Sequence, residues 1–262
     1  MSFAIERNSL ENTFPNCSLL QGPPISFECN SNYRCGCSST FVIFHDQSLF
    51  PSTNNSIKGR IVGGENAQAY SWSWIVSLRR SDQHFCAGSL LNEEWVLTAA
   101  HCLTTANEIT VHIGVHNRTS FGSKRRYITR VITHPEYVPL PKRLNDIALF
   151  RLSSPIEFSM RENDIERVCL PPKTSPLDYP TVDTDLAVIG WGRLFHDGPE
   201  SEVLRQVHVK RIATNDERCL QTITDKNRQF CGMIDGGGKD SCQGKSISNS
   251  SPLQNILFFN RR

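Results

Sequence analysis

Trp95-Val96-Leu97-Thr98-Ala99-Ala100 is a nearly continuous apolar run that stops abruptly at His101-Cys102. Runs of the same kind recur at Ile147–Leu152 and Leu186–Trp191. Others alternate with a period of two, as in Ile75–Leu78, Glu108–Val115 and Val203–Val209. Clusters of Gly, Pro, Asn and Asp separate them, which is the pattern of short strands joined by turns. Only Asn215–Leu220 offers a helix start, with Asn or Asp capping a short turn. Many short strands at close spacing predict an antiparallel sandwich or a pair of barrels rather than βαβ units.

Outward from that region the chain changes texture twice. Residues 1–60 are rich in Ser, Asn and Pro and hold Cys17, Cys29, Cys35 and Cys37 within 21 residues. They read as a small cross-linked pro-segment and linker preceding a domain over 61–262. The last residues, Ser246–Arg262, carry no acid, many Ser and Asn, and a bare Ile256-Leu-Phe-Phe run. With 28 basic and 26 acidic residues the net charge is +2, and no run of five like charges occurs, so nucleic acid is not an expected partner. No apolar stretch approaches the roughly 18 residues that span a bilayer, so no membrane partner is expected. At 38% hydrophobic the chain has the composition of a packed globular protein.

Ten cysteines without paired C-x-x-C knuckles predict disulfides formed in an oxidising, secretory compartment. Sequons at Asn16, Asn54, Asn117 and Asn249 are compatible with that. The first residues, however, are interrupted by Glu6 and Arg7 and form no signal core, so the expectation is that the true start lies upstream.

Taken singly, the chemically interesting residues have ordinary readings. His101 beside a cysteine is most simply structural, Asp146 reads as a turn residue opening a strand, and Ser246 is one serine among many. Asp240 in Gly-Gly-Gly-Lys-Asp reads as an exposed loop acid. His112 and His116, four apart on an alternating stretch, lack a third ligand nearby and are expected on a solvated or packed strand face, with no metal. Cys35-Gly36-Cys37, in the company of Cys17 and Cys29, is expected in a small disulfide knot rather than a metal site.

Order and company change these readings. Arg60-Ile61-Val62-Gly63-Gly64, Leu97-Thr98-Ala99-Ala100-His101-Cys102, Asn145-Asp146-Ile147-Ala148-Leu149, Gly190-Trp191-Gly192 and Asp240-Ser241-Cys242-Gln243-Gly244 follow one another. From Arg60 to Gly244 the chain closely resembles the trypsin/chymotrypsin-like serine peptidases. The resemblance implies an all-β fold of two packed six-stranded antiparallel barrels, with the catalytic residues in the cleft between them.

The resemblance also assigns roles. His101 would be the general base, oriented by a buried Asp146, because a serine hydroxyl is a poor nucleophile until an imidazole accepts its proton. Ser246 falls in the nucleophile's register, and the Gly244 and Ser246 amides would form the oxyanion hole. Asp240 would floor the primary specificity pocket and select substrates with Arg or Lys at the cleaved bond. Cleavage of Arg60–Ile61 by an activating trypsin-like protease would free an ammonium that seeks an aspartate just before the nucleophile, so the uncut chain would be a zymogen. Cys86–Cys102 and Cys219–Cys231 are the bridges the family pattern implies, and Cys169 would tie back to one of the four pro-segment cysteines. The expected partners are protein substrates, the activator and protein protease inhibitors, with no cofactor.

One stretch departs from the family. Where Asp-Ser-Gly-Gly-Pro-Leu is expected, the chain reads Lys245-Ser246-Ile247-Ser248-Asn249-Ser250-Ser251-Pro252-Leu253. Lys245 would set two like charges together, and losing one partner of a buried pair costs about 3–5 kcal/mol. Ile247 is a poor fit for a turn needing positive φ or close approach to substrate. The remaining strands of the second barrel and the partner of Cys242 have no counterpart, so that barrel is expected to be incomplete. Gly244-Lys245 is what a reading frame gives on passing through a splice donor, and the tail resembles translated intron. Transcript sequence across the Gly244 codon decides that question. The expected function is a serine endopeptidase cleaving after Arg or Lys, impaired in this chain, against the alternative of a non-catalytic homologue acting as a binding or decoy protein.

Overall fold

A computed structural model of the chain describes residues 64–103, 108–122, 124–139, 142, 144–158, 165–168, 180–194, 198–221, 223, 225–226, 229–233 and, as backbone, 257–259. Residues 1–60, expected to be a pro-segment and linker, lie outside the described residues, as do Ile61, Cys169, Asp240, Cys242, Gly244 and Ser246.

The fold is all-β. Six strands close into one antiparallel barrel: β2 (Ile75–Arg80), β3 (Gln83–Leu90), β4 (Trp95–Thr98), β5 (Ile109–Ile113), β6 (Lys124–Thr133) and β7 (Ala148–Leu152). Their order around the barrel is β2-β3-β4-β7-β6-β5. Alternation puts Val76, Leu78, Leu90, Val96, Val111, Ile113, Phe150 and Leu152 inside, where they form one buried cluster. Crowding there is tight. A Cβ added to Gly88 would lie 2.6 Å from Val96 Cγ1 and 3.0 Å from the Leu97 carbonyl oxygen. Gly88→Ala is therefore expected to cost about 1–3 kcal/mol by overpacking, read as a lower midpoint in urea at an unchanged m-value.

The second half forms an open antiparallel sheet among the described residues. Its path is β1 (Glu65–Asn66), β9 (Arg205–Ile212), β8 (Asp185–Gly190) and β11 (Leu257–Phe259), with β10 (Cys231–Met233) also paired to β9. The second barrel was expected to be incomplete, with the family's remaining strands lacking a counterpart after Gly244. Within the tail, Leu257, Phe258 and Phe259 pair with Ile189, Val188 and Ala187 along the edge of β8. One turn of helix, α1 (Glu217–Leu220), is capped by Asp216, whose carboxylate accepts from the Arg218 N–H.

A second buried cluster joins the two halves: Trp72, Trp74, Ile75, Ala87 and Val115 meet Ala187, Ile189, Trp191 and Leu204. Trp191 Nε1–H donates to the His116 carbonyl at 2.9 Å, so an indole from one half is hydrogen-bonded to a loop of the other. Buried Arg79 ties that loop down by donating to the Arg118 and Ser120 carbonyls and to Ser77 Oγ.

Candidate active site

The register of two neighbouring strands builds the site. Thr98 at the end of β4 is paired with Ala148 at the start of β7. The chain leaves β4 into a single 3₁₀ turn, Ala100–Cys102, and enters β7 two residues after Asp146. His101 and Asp146 therefore meet at one end of the barrel although 45 residues separate them. Asn145, at φ 52°, bends the backbone just before the acid, and its Nδ2 donates to the Glu136 carbonyl at 2.8 Å. The Cys86–Cys102 disulfide joins β3 to the 3₁₀ turn immediately after His101.

Both carboxylate oxygens of Asp146 are engaged by one residue. Oδ1 accepts the His101 backbone N–H at 2.8 Å, and Oδ2 lies 2.6 Å from the ring Nδ1. With Nδ1–H donating, the neutral ring presents Nε2 as its acceptor. Nε2 is screened from solvent and has no hydrogen-bond partner among the described residues. Asp146 itself is 1% exposed. Burial pushes its carboxyl up, but the bond from the His101 ring, the imidazolium charge and the His101 N–H together hold it below its ordinary 3.8. The result is a buried anion that fixes the tautomer and orientation of the ring.

Cys86 Sγ, Cys102 Sγ and a His101 nitrogen lie within 4.8 Å of one another. The two sulfurs are bonded to each other, which leaves no thiolate for a metal. His112 and His116 do not share a strand face, since β5 ends at Ile113 and Gly114 turns the chain at φ 69°. His112 is buried on the outer face of β5, with Nδ1–H donating to the Phe121 carbonyl at 3.0 Å and Nε2 accepting from Thr110 Oγ1 at 3.1 Å. In the second half, Cys219 of α1 is joined to Cys231 of β10.

Two arrangements had no signal in the sequence. Arg205 on β9 donates to Asn66 Oδ1 at 2.6 Å and to the Gly64 carbonyl. Next to it Gln206 donates to Glu65 Oε1 at 3.1 Å and accepts from Trp72 Nε1–H at 2.8 Å. These side chains clamp the segment that begins three residues beyond Ile61 onto the second sheet. A Ser–His pair lies on the outer face of the barrel toward the second half, where Ser77 Oγ is 2.8 Å from His84 Nδ1 and the His84 ring centre is 5.1 Å from that of Trp191. Each depends on strand register, which brings together residues 7 to 141 positions apart.

The sequence pattern of the Trypsin family matches residues 61–246. Coagulation factor IX of Oryctolagus cuniculus is 34% identical over 195 residues, 71% of this chain and 68% of that protein. Serine protease 56 of Homo sapiens is 37% identical over 202 residues, 75% of this chain, and its Mus musculus counterpart 32% over 236 residues, 88% of this chain. The chain spans about a third of the length of either serine protease 56, 32% and 35%. With this match over most of its length and an all-β structure with a closed antiparallel barrel, the chain belongs to the trypsin family and is by family a serine endopeptidase.

Proposed function

We propose that the chain carries the machinery of a secreted endopeptidase that cleaves after Arg or Lys, made as a zymogen activated at Arg60–Ile61, and that its altered nucleophile turn leaves this chain impaired. The observation that carries the catalytic part is the His101–Asp146 pair, with a buried carboxylate on Nδ1 and no hydrogen-bond partner for Nε2 among the described residues. An imidazole so held is a general base of fixed tautomer, which a hydroxyl nucleophile requires.

The remaining parts rest on sequence register. In this reading Nε2 takes the proton of Ser246 Oγ as it attacks the substrate carbonyl, then returns it to the leaving amine. The Gly244 and Ser246 amides receive the developing oxyanion. Asp240 faces the cationic side chain of the substrate, and Ile61, once freed, seeks an anion where Lys245 stands. Two disulfides are in keeping with an oxidising, extracellular setting. Protein substrates, an activating protease and protein inhibitors are the partners that follow from such a site.

The alternative, a non-catalytic homologue that binds peptides or inhibitors, is favoured by one feature, the Lys245-Ser246-Ile247 turn. A panel of peptide esters separates specificity from competence. In a variant carrying K245D, I247G and S248G, nicked after Arg60, Arg and Lys esters should be turned over at least about 100-fold faster than Phe esters, since a buried carboxylate left without its cation loses about 3–5 kcal/mol. Equal rates on all esters would remove Asp240 from the pocket.

A further inference from the structure

Strand β6 reads Lys-Arg-Arg-Tyr-Ile-Thr-Arg-Val-Ile-Thr over Lys124–Thr133, four cations and no acid in a chain whose net charge is only +2. Cross-strand neighbours decide whether such charge is neutralised within the sheet. Here none of the four faces an acid in register. Lys124 is opposite Ile113, Arg125 opposite His112, Arg126 opposite Val111, and Arg130 opposite another cation, Arg151. Arg126 is used internally, donating to the Ser154 and Pro155 carbonyls. Lys124 leans on the Glu157 carbonyl at 3.3 Å, and Arg151 on Glu94 at 3.2 Å.

Arg125 and Arg130 remain directed outward. Among the described residues the acid nearest Arg125 is a loose, half-exposed Asp82 at 3.8 Å, which lies equally far from His112. Between the two arginines stands Tyr127, 58% exposed, its ring 5.4 Å from the Arg125 guanidinium carbon. Phe121, 60% exposed, borders the Arg125 end through its contact with His112, and Ile132 lies exposed beyond Arg130. Arg125 to Arg130 is about 16 Å along an extended strand at roughly 3.3 Å per residue. The face thus alternates cation and exposed apolar side chain over the length of a short extended peptide.

We propose that this face of the first barrel, Arg125–Tyr127–Arg130 flanked by Phe121 and Ile132, is a docking surface for an extended acidic segment of a protein partner. Charge complementarity selects the acid, because the two outward arginines, Arg125 and Arg130, are stabilised by carboxylates placed between them. The exposed Phe121, Tyr127 and Ile132 select a peptide over a sulfated polysaccharide, which has no apolar side chains to cover them. Binding here is independent of the nucleophile turn.

The test uses the full chain and a fluorescent, glutamate-rich peptide with one central phenylalanine, followed by anisotropy. Saturable binding that weakens with salt is expected, with affinity falling at least about tenfold in the R125E/R130E double variant. Tyr127→Ala, which alters no charge, should weaken it several-fold, and an unchanged unfolding midpoint shows that both variants remain folded. No binding, or binding unaffected by either variant, overturns the proposal. Preference for a sulfated oligosaccharide, unaffected by Tyr127→Ala, overturns it in favour of a glycan surface.

Discussion

The nicked variant carrying K245D, I247G and S248G is expected to hydrolyse an arginyl ester at least about 100-fold faster than the unaltered nicked chain. Two independent penalties are removed. An anion at position 245 gives the Ile61 ammonium its partner, and a buried charge left facing a like charge or none costs about 3–5 kcal/mol. Glycine at 247 and 248 lets the backbone turn freely, so that the Gly244 and Ser246 amides can point at the oxyanion. One missing donor in such a hole is worth about 100- to 1,000-fold in rate. The three changes act on one turn, so their effects are not additive. K245D alone should recover less than the combination, because an ordered ammonium does not by itself open the turn. The check is steady-state ester hydrolysis after cleavage at Arg60, with the cut verified by N-terminal sequencing.

In that restored background Asp146→Asn is expected to lower kcat by about 10,000-fold, the size of loss seen when a catalytic carboxylate becomes an amide. The geometry explains why so small a change is so costly. Oδ2 accepts Nδ1–H at 2.6 Å and Oδ1 accepts the His101 N–H at 2.8 Å. An amide can retain one of these acceptors but turns its NH₂ toward the other donor. If the NH₂ faces the ring, Nδ1 becomes the acceptor and the proton moves to Nε2, the atom that must take the serine's proton. The same substitution should flatten the acid limb of stability. Because the folded Asp146 carboxyl lies below its ordinary 3.8, its contribution is present above that value and is lost as pH falls through the lower folded value. The Asn variant carries no such dependence, and urea midpoints between pH 6 and 2 would show the difference.

How far the sequence reveals this molecule depends on whether a feature is local. Apolar runs are local, so Trp95–Ala100, Ile147–Leu152 and Leu186–Trp191 mark β4, β7 and β8, with edges shifted by one or two residues. β4 ends early because Ala100 to Cys102 tighten into a 3₁₀ turn. β6 is hidden from hydrophobic patterning because apolar Tyr127 and Ile132 stand among its exposed positions while Lys124 and Arg126 take half-buried ones. β3 is hidden by Gly88 and Cys86, which fit a strand there through close packing and a disulfide. For the site, motif order alone identifies His101 and Asp146 as partners, whereas the double hydrogen bond between them and the screening of Nε2 follow from β4–β7 register. The Arg205–Gln206 clamp on Gly64–Asn66 had no local sign at all.

The central proposal is that the chain combines a well-formed His101–Asp146 base with a nucleophile sequence, Lys245-Ser246-Ile247, that does not support catalysis. Its most direct measurement is labelling of the unaltered 262-residue chain, nicked after Arg60, with a fluorophosphonate probe and mapping of the adduct by mass spectrometry. The account predicts no adduct at Ser246 under conditions that fully label active trypsin. Stoichiometric modification of Ser246 would contradict it.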